Sequence, residues 1–297
     1  MIPWTGLGLY GGYRGDRWLR NRIKVFEQFV LPSLLNQTNK DFILWCAWRF
    51  EEKRNRIVID FEKKLSGLNV VHTYSGCPFW DDKYPDDVAR LRLIEAIHGS
   101  MGELINVMGE CDEVLMTIQP SDDCYYGAMV EETQTFFKEN PGIDVFGYKQ
   151  GYVMDYINRR LAQWNPSTTP PFYTIKFKRE TFIDPLTHIK FTGPYRSHEY
   201  LKDHMKTRYI DTRGFLVGTH GENISTVFNH PFTGHEYSGD TMLLILADFG
   251  LANVGKLEIK TSLRKIIMRR FPHGWQKKFR YWFGEHMYNK IYEFLRR

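Results

Sequence analysis

The fold class is indicated first by residues 113–123, which read Glu113-Val114-Leu115-Met116-Thr117-Ile118-Gln119-Pro120-Ser121-Asp122-Asp123. The apolar run Val114–Ile118 predicts a short buried strand, and that strand ends at a polar turn with two carboxylates. Paired carboxylates after a buried strand suit a divalent ion such as Mg²⁺ or Mn²⁺, whose other positions a ligand's phosphates fill. Ser and Asp also favour caps and turns, so the same residues fit a purely structural turn.

Helix and strand patterns alternate on the way to this stretch. Apolar positions that step by three or four from Leu19 to Leu34 predict a helix with a kink at Pro32. Strands are predicted at Phe42–Trp48, which should be buried on both faces, and at Leu68–Thr73, with a polar helix between them. A further helix is expected to end near Gly99 and Gly102. On one face it carries Val88, Leu91, Ile94 and His98. This order predicts an α/β fold with a doubly wound, largely parallel sheet, in which ligands bind beyond the carboxyl ends of the strands.

Composition places the chain among ordinary globular proteins. Of its 297 residues, 42% are hydrophobic and 25% are charged, which excludes disordered, collagen-like and coiled-coil chains. The longest apolar run, Phe42–Trp48, is far shorter than the roughly 18–20 residues that a membrane-spanning helix needs. No basic and apolar start of the secretory type is visible, so we expect a cytoplasmic protein.

The four cysteines are Cys46, Cys77, Cys111 and Cys124. They show neither Cys-x-x-Cys spacing nor clustered histidines, which argues against a zinc site and a disulfide framework. We therefore expect reduced, mostly buried thiols.

The net charge of +5 is unevenly distributed. Residues 256–297 carry twelve Lys or Arg and three Glu, a net charge of +9, which leaves −4 for the rest of the chain. Apolar and aromatic residues of this segment fall on one helical face, with basic residues around it; the residues of interest are Trp275, Lys277, Lys278, Arg280 and Trp282. The pattern fits an interfacial membrane helix, an aromatic face packed on the body, or a basic arm for nucleic acid. The nucleic-acid reading ranks last because no known nucleic-acid module accompanies it.

The opening segment, residues 4–14, has four glycines among aromatic residues. A glycine-rich loop lets the backbone approach a nucleotide, and Arg14 at its end can meet a phosphate. The segment does not fit the dinucleotide-binding fingerprint, because a strand should precede the glycines and a helix should follow them directly. An ordinary flexible loop fits equally well.

Four segments, in chain order, resemble GT-A glycosyltransferases and, within that fold, a family of rhamnosyltransferases. Residues 31–42 resemble the helix that leads through Ser-Leu-x-x-Gln-Thr and Asp-Phe into the second strand, and residues 87–90 resemble the segment that carries an Arg before the metal-binding strand. Residues 113–123 resemble the strand that runs into an Asp-Ser-Asp-Asp metal motif, and residues 220–225 resemble a later His-Gly-x-Asn-x-Ser stretch. The resemblance covers about Trp4 to Ser225. Pro120 stands where many relatives have the first acid of the motif, so the metal role rests on Asp122 and Asp123.

The resemblance implies a GT-A-like, Rossmann-like domain over residues 1–255, with a mostly parallel sheet flanked by helices. Residues 1–125 would bind the nucleotide sugar and residues 126–255 the acceptor, followed by a basic, aromatic and helical C-terminal extension at 256–297. The implied activity is that of a hexosyltransferase, rhamnosyltransferase-like, which moves a sugar from a nucleotide-diphosphate donor to a hydroxyl of a glycan or glycolipid. Inversion at the anomeric carbon and a place in cell-surface glycan biosynthesis are part of the same expectation.

For this reaction Mn²⁺ or Mg²⁺ would neutralise the departing diphosphate. Asp122 and Asp123 are the expected ligands, and His220 is a further ligand, a phosphate donor or an ordinary packed histidine. The donor-binding candidates lie in the glycine-rich opening, at strand ends and in the resembling segments: Thr5, Gly6, Arg14, Trp48, Arg49, Arg90 and Ser121.

An inverting transferase also needs a base that takes the proton of the acceptor hydroxyl. In GT-A enzymes this acid lies well past the metal motif at the start of a helix, and residues 195–201 fall in the corresponding region. Glu199 is the predicted base, with His198 as its competitor. The same residues also fit a plain helix start that Ser197 caps.

The predicted function is therefore a metal-dependent glycosyltransferase that the tail holds, as a peripheral protein, at the inner face of the membrane. The alternative is a nucleic-acid-binding protein, or a transferase acting on nucleic acid, that binds the nucleic acid through the basic tail. A non-catalytic carbohydrate-binding or scaffold protein would keep the fold without metal-dependent nucleotide binding.

Overall fold

A computed structural model gives the fold of the chain. It describes residues 1–4, 15–65, 67–75, 98–167, 170–184, 201–221, 223 and 226–259. A three-stranded sheet and a seven-stranded sheet form the framework, and helices pack against them. The expected α/β class is confirmed.

The smaller sheet is parallel, as the alternating pattern predicts. Its strands β1 (Ile2–Pro3), β2 (Leu44–Arg49) and β3 (Val70–Ser75) lie in that order and pair in parallel. The first five residues of β2 are buried, which confirms the strand expected to be covered on both faces.

A long helical stretch leads from the first strand to the second. α1 (Asp16–Val25) continues through a π-helical turn (Phe26–Val30) into α2 (Leu31–Leu35). The apolar positions expected on one face are all buried: Leu19, Ile23, Phe26, Val30 and Leu34. The helical register changes at the π turn, and Pro32 follows in the first turn of α2, where its missing N–H is tolerated.

The connection from β2 to β3 is helical but irregular. A 3₁₀ turn (Phe50–Arg54) precedes α3 (Arg56–Glu62), and a second one (Lys63–Leu65) follows it. Asn55 caps α3 by accepting a hydrogen bond from the N–H of Ile57 at 3.0 Å.

The larger sheet is mixed, and here the expectation of a mostly parallel sheet is wrong. Its strands are β4 (Glu113–Thr117), β5 (Cys124–Tyr125), β6 (Val145–Asp155), β7 (Arg160–Trp164), β8 (Tyr173–Lys178), β9 (Thr207–Thr219) and β10 (Thr233–Tyr237). The main path runs β10-β7-β6-β8-β4, and β9 pairs with β5 and β6. Among these pairs only β6 with β9 is parallel. The physical reason shows at β6 and β7, where a connection of a few residues allows an antiparallel hairpin but is too short for a parallel crossover.

The two sheets meet at Met1. The backbone nitrogen of Met1 donates to the carbonyl of Thr117 at 2.7 Å, and the N–H of Gln119 donates to the carbonyl of Met1 at 2.8 Å. In a parallel ladder, the N–H and the carbonyl of one residue bond to two residues of the adjacent strand that lie two positions apart, and Met1 shows this pattern. The turn after β4 therefore opens at the same edge as the carboxyl ends of β1, β2 and β3.

Five further helical segments complete the described fold. They are α4 (98–108), α5 (Met129–Glu139), α6 (Arg179–Ile183), α7 (Leu201–His204) and α8 (Gly239–Asp248). The predicted helix with Val88, Leu91 and Ile94 lies outside the described residues, and where its end is expected, at Gly99 and Gly102, the described residues 98–108 are helical throughout. A glycine in an exposed helix costs only about 0.5–1 kcal/mol relative to alanine, too little to stop a helix with buried contacts at Met101 and Leu104.

The turn after α2 ties the first half of the chain to the second. Buried Gln37 donates to the carbonyl of Tyr126 at 2.8 Å and accepts from the N–H of Val130 at 3.1 Å. The N–H of Thr38 donates to the carbonyl of Gly127 at 2.7 Å. This turn therefore fixes the start of α5 against α2.

The last described residues pack on the body of the protein. Leu257 is buried, and its N–H donates to the carbonyl of Tyr156 at 2.8 Å. Gln28 of the π turn holds the same segment through the carbonyl of Gly255 at 3.0 Å. The basic extension lies outside the described residues from 260 onward. Within the described part of the chain, no helix is both long and apolar enough to cross a bilayer.

Candidate functional site

The candidate site lies in the turn between β4 and β5. Asp122 and Asp123 occupy this turn, and the pairing of Cys124 with Leu216 places it against the end of β9. The chain beyond β9 supplies His220 and Asn223, while α1 supplies Arg22. Residues far apart in sequence thus meet at the edge where sequence analysis expected ligands to bind.

Asp122 is the centre of this arrangement. Its Oδ2 atom accepts hydrogen bonds from Nη1 of Arg22 at 2.7 Å and from Nδ2 of Asn223 at 3.1 Å. Nε2 of His220 lies 3.1 Å from the same oxygen. One carboxylate oxygen therefore has a guanidinium, an amide and an imidazole around it.

Arg22 and His220 also contact each other. Nη1 of Arg22 lies 3.1 Å from Nε2 of His220, so the three polar atoms form a compact triangle with Oδ2 of Asp122. When the imidazole proton is on Nε2, His220 donates to Asp122; when it is on Nδ1, Nε2 accepts from Arg22. The second tautomer presents the lone pair that a metal ligand requires.

The two neighbouring carboxyl groups have shifted pKa values in opposite directions. Burial alone would raise the pKa of Asp122, but Arg22 and His220 outweigh it and lower that pKa to about 2. Burial and then the charge of Asp122 raise the pKa of Asp123 well above its usual value, which a hydrogen bond from the N–H of Gly218 offsets in part. Asp122 is therefore the firmly ionised member of the pair.

Backbone contacts hold the two carboxylates in place. Oδ1 of Asp123 accepts from the N–H of Gly218 at 2.8 Å, and the hydroxyl of Tyr156 donates to the carbonyl of Asp122 at 2.9 Å. A Cβ on Gly218 would lie 2.2 Å from that same carbonyl oxygen, so only glycine fits there. Tyr156 in turn stacks on Phe29 of the π turn, with ring centroids 3.6 Å apart.

Asn223 links His220 to the same framework. Its Oδ1 accepts from the backbone N–H of His220 at 2.6 Å, and its Nδ2 donates to the carbonyl of Gly218 at 2.6 Å. The loop that carries His220 is thereby closed on itself, and the imidazole is buried beside Asp122.

The donor set fits a divalent ion that is shared with a ligand phosphate. Among the described residues, no group of three or more His, Cys, Asp or Glu side chains could hold a metal ion, so an all-protein cage is absent there. Asp122 and His220 still supply an oxygen and a nitrogen that converge, and Mg²⁺-type ions commonly use one or two protein ligands together with substrate phosphates. Asp123 lies next to them, with one oxygen bound to Gly218.

The other described site candidates serve the framework. Ser121 is buried in the turn beside Asp122. Trp48 is completely buried, stacks on Trp4 and donates to Nδ1 of His72 at 3.0 Å. Arg49 pairs with the buried carboxylate of Glu52 at 2.8 Å. Contact of these residues with a donor stays a prediction.

All of the remaining candidates lie outside the described residues. These are Thr5, Gly6, Arg14, Arg90, His198, Glu199, Trp275, Lys277, Lys278, Arg280 and Trp282. The described helix α7 begins at Leu201, shortly after the predicted base Glu199.

Sequence reasoning missed three residues that build the site. Asn223 stands inside the His-Gly-x-Asn-x-Ser stretch, so the motif itself contained the signal for it. Arg22 and Tyr156 carry no such signal, because nothing in their local sequence shows that α1 and the end of β6 meet Asp122.

Comparison with known proteins gives one partial match. Residues 13–51 match the model of the family described as "Putative rhamnosyl transferase". The matched segment runs from before α1 past the end of β2 and includes Arg22. No curated protein matches the chain. The match supports a glycosyltransferase-like family, and it is confined to this N-terminal segment.

Proposed function

We propose that the chain is a metal-dependent glycosyltransferase that moves a sugar from a nucleotide-diphosphate donor to a hydroxyl of a glycan or glycolipid. One observation carries the proposal: Asp122 and His220 converge at the carboxyl edge of the sheets, in a chain whose residues 13–51 match a rhamnosyl transferase family. In α/β sheets this edge is where ligands bind.

Asp122 and His220 would hold Mn²⁺ or Mg²⁺ together with the donor phosphates. The ion would neutralise the charge that develops on the departing diphosphate. Asp122 suits this role because it is ionised far below neutral pH. Asp123 contributes by anchoring the turn on the backbone of Gly218.

The remaining steps fall to residues that the proposal assigns by resemblance. Arg14 and Arg90 would bind donor phosphates, since guanidinium groups match phosphate oxygens. Glu199, with His198 as the competitor, would accept the proton of the acceptor hydroxyl in an inverting displacement. The acidity of that hydroxyl rises as the new bond forms, so a carboxylate is a sufficient base.

The test is nucleotide binding by Asp122→Asn. We expect the wild-type protein to bind one of UDP, dTDP or GDP in a Mn²⁺-dependent manner, measured by calorimetry. Asp122→Asn removes the charged ligand and should weaken that binding by roughly 10-fold to 100-fold, the value of a charge-assisted contact.

Asp211→Asn is the matched control. Asp211 is exposed and pairs with Lys149 at 3.3 Å, so the same change of charge there should leave nucleotide binding unchanged. Equal Mn²⁺-dependent affinity in Asp122→Asn and wild type would overturn the metal assignment. Absence of any nucleotide binding by the wild type would overturn the transferase proposal.

A further inference from the structure

Arg22 occupies an unusual place in the candidate site. Its side chain is only 16% exposed, and one guanidinium nitrogen, Nη1, contacts both Asp122 and His220. Nε and Nη2 form no hydrogen bond with the described part of the chain. Half of the guanidinium fork is therefore committed to the Asp122–His220 pair, and the other half retains its donors.

The position of Nη1 is close to the one that a divalent ion needs. Nη1 lies 2.7 Å from Oδ2 of Asp122 and 3.1 Å from Nε2 of His220, and those two atoms are 3.1 Å apart. Two ligands at about 2.1 Å from one ion in octahedral geometry lie about 3 Å apart. Oδ2 of Asp122 and Nε2 of His220 are thus spaced as two ligands of one ion, but Nη1 of Arg22 contacts both atoms and occupies that position.

We propose that Arg22 is the resident cation of the Asp122–His220 pair, which excludes free divalent ions until a diphosphate draws the guanidinium away. The diphosphate part of this inference rests on the proposed function. Arg22 keeps the buried carboxylate of Asp122 neutralised while no ligand is bound, which avoids the large cost of an unpaired buried charge. A diphosphate offers the planar guanidinium bidentate oxygen acceptors, so Arg22 can leave Asp122 without losing its hydrogen bonds.

The consequence is a strong coupling between metal and diphosphate binding. With Arg22 on Asp122, a second cation at the pair meets like-charge repulsion at contact distance. With Arg22 on a diphosphate, Asp122 and His220 are available to the ion. Linkage requires the effect to be mutual, so the ion also raises the affinity for the diphosphate.

The first experiment titrates Mn²⁺ into the full-length protein without nucleotide, by calorimetry and by the electron paramagnetic resonance signal of free Mn²⁺. Arg22→Gln should bind Mn²⁺ roughly tenfold or more tightly than wild type, because the competing charge is gone. Arg20→Gln makes the same change at an exposed position of the same helix and should bind as wild type does. The double variant Arg22→Gln with Asp122→Asn should lose the gain, which places the ion at Asp122.

Two further measurements keep the result interpretable. Circular dichroism melts establish that each variant is folded, and Arg22→Lys, which retains the charge, should bind Mn²⁺ no more tightly than wild type. An Mn²⁺ affinity of folded Arg22→Gln that is unchanged, reduced or undetectable overturns the proposal. If Arg22→Gln does not fold, an Arg22→Lys affinity well above that of wild type overturns it instead.

The second experiment repeats the Mn²⁺ titration with saturating UDP and, separately, dTDP. The nucleotide should raise the Mn²⁺ affinity of wild type by roughly tenfold more than that of Arg22→Gln. Equal enhancement in both proteins overturns the exchange at Arg22. Failure of the proposed function looks different: the wild type then binds neither nucleotide, while the nucleotide-free titration still tests Arg22.

Discussion

Asp122 and Asp123 are adjacent in sequence, yet their side chains have different contacts and different pKa values. Asp122 faces Arg22, His220 and Asn223, whereas Asp123 faces the backbone of Gly218. The first environment lowers the pKa of Asp122, whereas burial and the charge of Asp122 raise the pKa of Asp123 despite its hydrogen bond from Gly218. A pair of identical residue types thus acquires two separate roles, one as an ion-pairing carboxylate and one as a turn anchor.

These opposite shifts predict how stability depends on pH. Asp123, whose pKa is raised in the folded state, favours folding as pH falls and it takes up its proton. Asp122 has a folded pKa of about 2, against 3.8 for an ordinary aspartate, so its contribution is present above pH 4 and is lost as pH falls toward 2. That contribution is about 2 kcal/mol in the free energy of unfolding.

Urea denaturation of wild type and Asp122→Asn between pH 7 and pH 2 measures this. The difference in unfolding free energy between the two proteins should shrink by about 2 kcal/mol as pH falls through the range 4 to 2. Asp211→Asn should follow the wild-type curve, because its carboxylate is largely exposed. Parallel curves for wild type and Asp122→Asn would show that Asp122 has no depressed pKa.

At this scale the sequence predicts chemistry better than it predicts partners. Asp122 and His220 can be predicted from motifs, because a carboxylate directly after a strand and a histidine in a His-Gly-x-Asn-x-Ser stretch are recognisable local patterns. Arg22 cannot, since one arginine on a helix with several basic residues looks like a solvated surface. Its role depends on a contact across the fold.

Among the secondary-structure elements, β9 determines the geometry of the candidate site, because its backbone packs directly against the turn that carries Asp122. Gly218 lies where β9 passes the turn at Asp122, and a Cβ there would meet the carbonyl oxygen of Asp122 at 2.2 Å and the ring of Tyr156 at 2.4 Å. The close approach of backbone to backbone fixes how far Asp122 sits from His220, which leaves β9 two residues later.

Gly218→Ala should therefore displace the turn as well as destabilise the protein. Overpacking at a buried position costs about 1–3 kcal/mol, and here both neighbours are parts of a rigid framework. We expect urea denaturation to show a loss in that range, and calorimetry to show weakened Mn²⁺-dependent nucleotide binding.

Gly102→Ala provides the comparison. A Cβ on Gly102 meets no atom within 4 Å, and alanine favours the helix by about 0.5–1 kcal/mol. Gly102→Ala should be as stable as wild type or more so, with unchanged nucleotide binding. A Gly218→Ala protein that behaves in the same way would mean that the approach of β9 is not essential.

The predictability of the elements follows from how local their signals are. The buried face from Leu19 to Leu34 and the strand β2 depend on hydrophobic spacing, which the sequence displays directly. Strand direction is different, because an apolar strand has the same pattern beside a parallel or an antiparallel neighbour. The hairpin of β6 and β7 is decided by its short connection, and the weak pattern after Asp123 did not locate that connection.

At the scale of the whole molecule, the hydrogen bonds of Met1 with the end of β4 join the two sheets into one continuous edge. The parallel strands β1, β2 and β3 and the end of β4 open together there, while the mixed sheet brings His220 to the same place. The predicted division into halves at residue 125 stays a prediction, and the candidate site draws on residues from both sides of that boundary.

The whole chain also predicts where a deletion should begin. Leu257 is buried and bonds to Tyr156, which itself supports Asp122, so residues up to 259 belong to the body. We propose that the basic residues from Lys260 onward hold the protein at an anionic membrane surface, at about 1 kcal/mol per Lys or Arg near the lipid.

Removal of residues 260–297 should abolish co-sedimentation with vesicles that contain phosphatidylglycerol and leave nucleotide affinity unchanged. Removal of residues 256–297 should in addition destabilise the body by about 2–3 kcal/mol, because Leu257 is lost. Undiminished vesicle binding after the shorter deletion would contradict the proposal. Salt-sensitive RNA or DNA binding by the full chain, without vesicle binding, would favour the nucleic-acid alternative.

The π turn at Phe26–Val30 makes the helix around it unequally sensitive to a change in length. A π turn holds one more residue than the α-helical turn that it replaces. Deleting one residue there would restore an uninterrupted helix whose earlier part keeps its orientation relative to α2, so Arg22 would still face Asp122. Deleting one residue between Arg22 and the π turn would instead rotate Arg22 by about 100° relative to α2, whose end Gln37 holds in place, and would turn it away from Asp122. A deletion in this helix should therefore be tolerated inside the π turn and not in the regular turn before it.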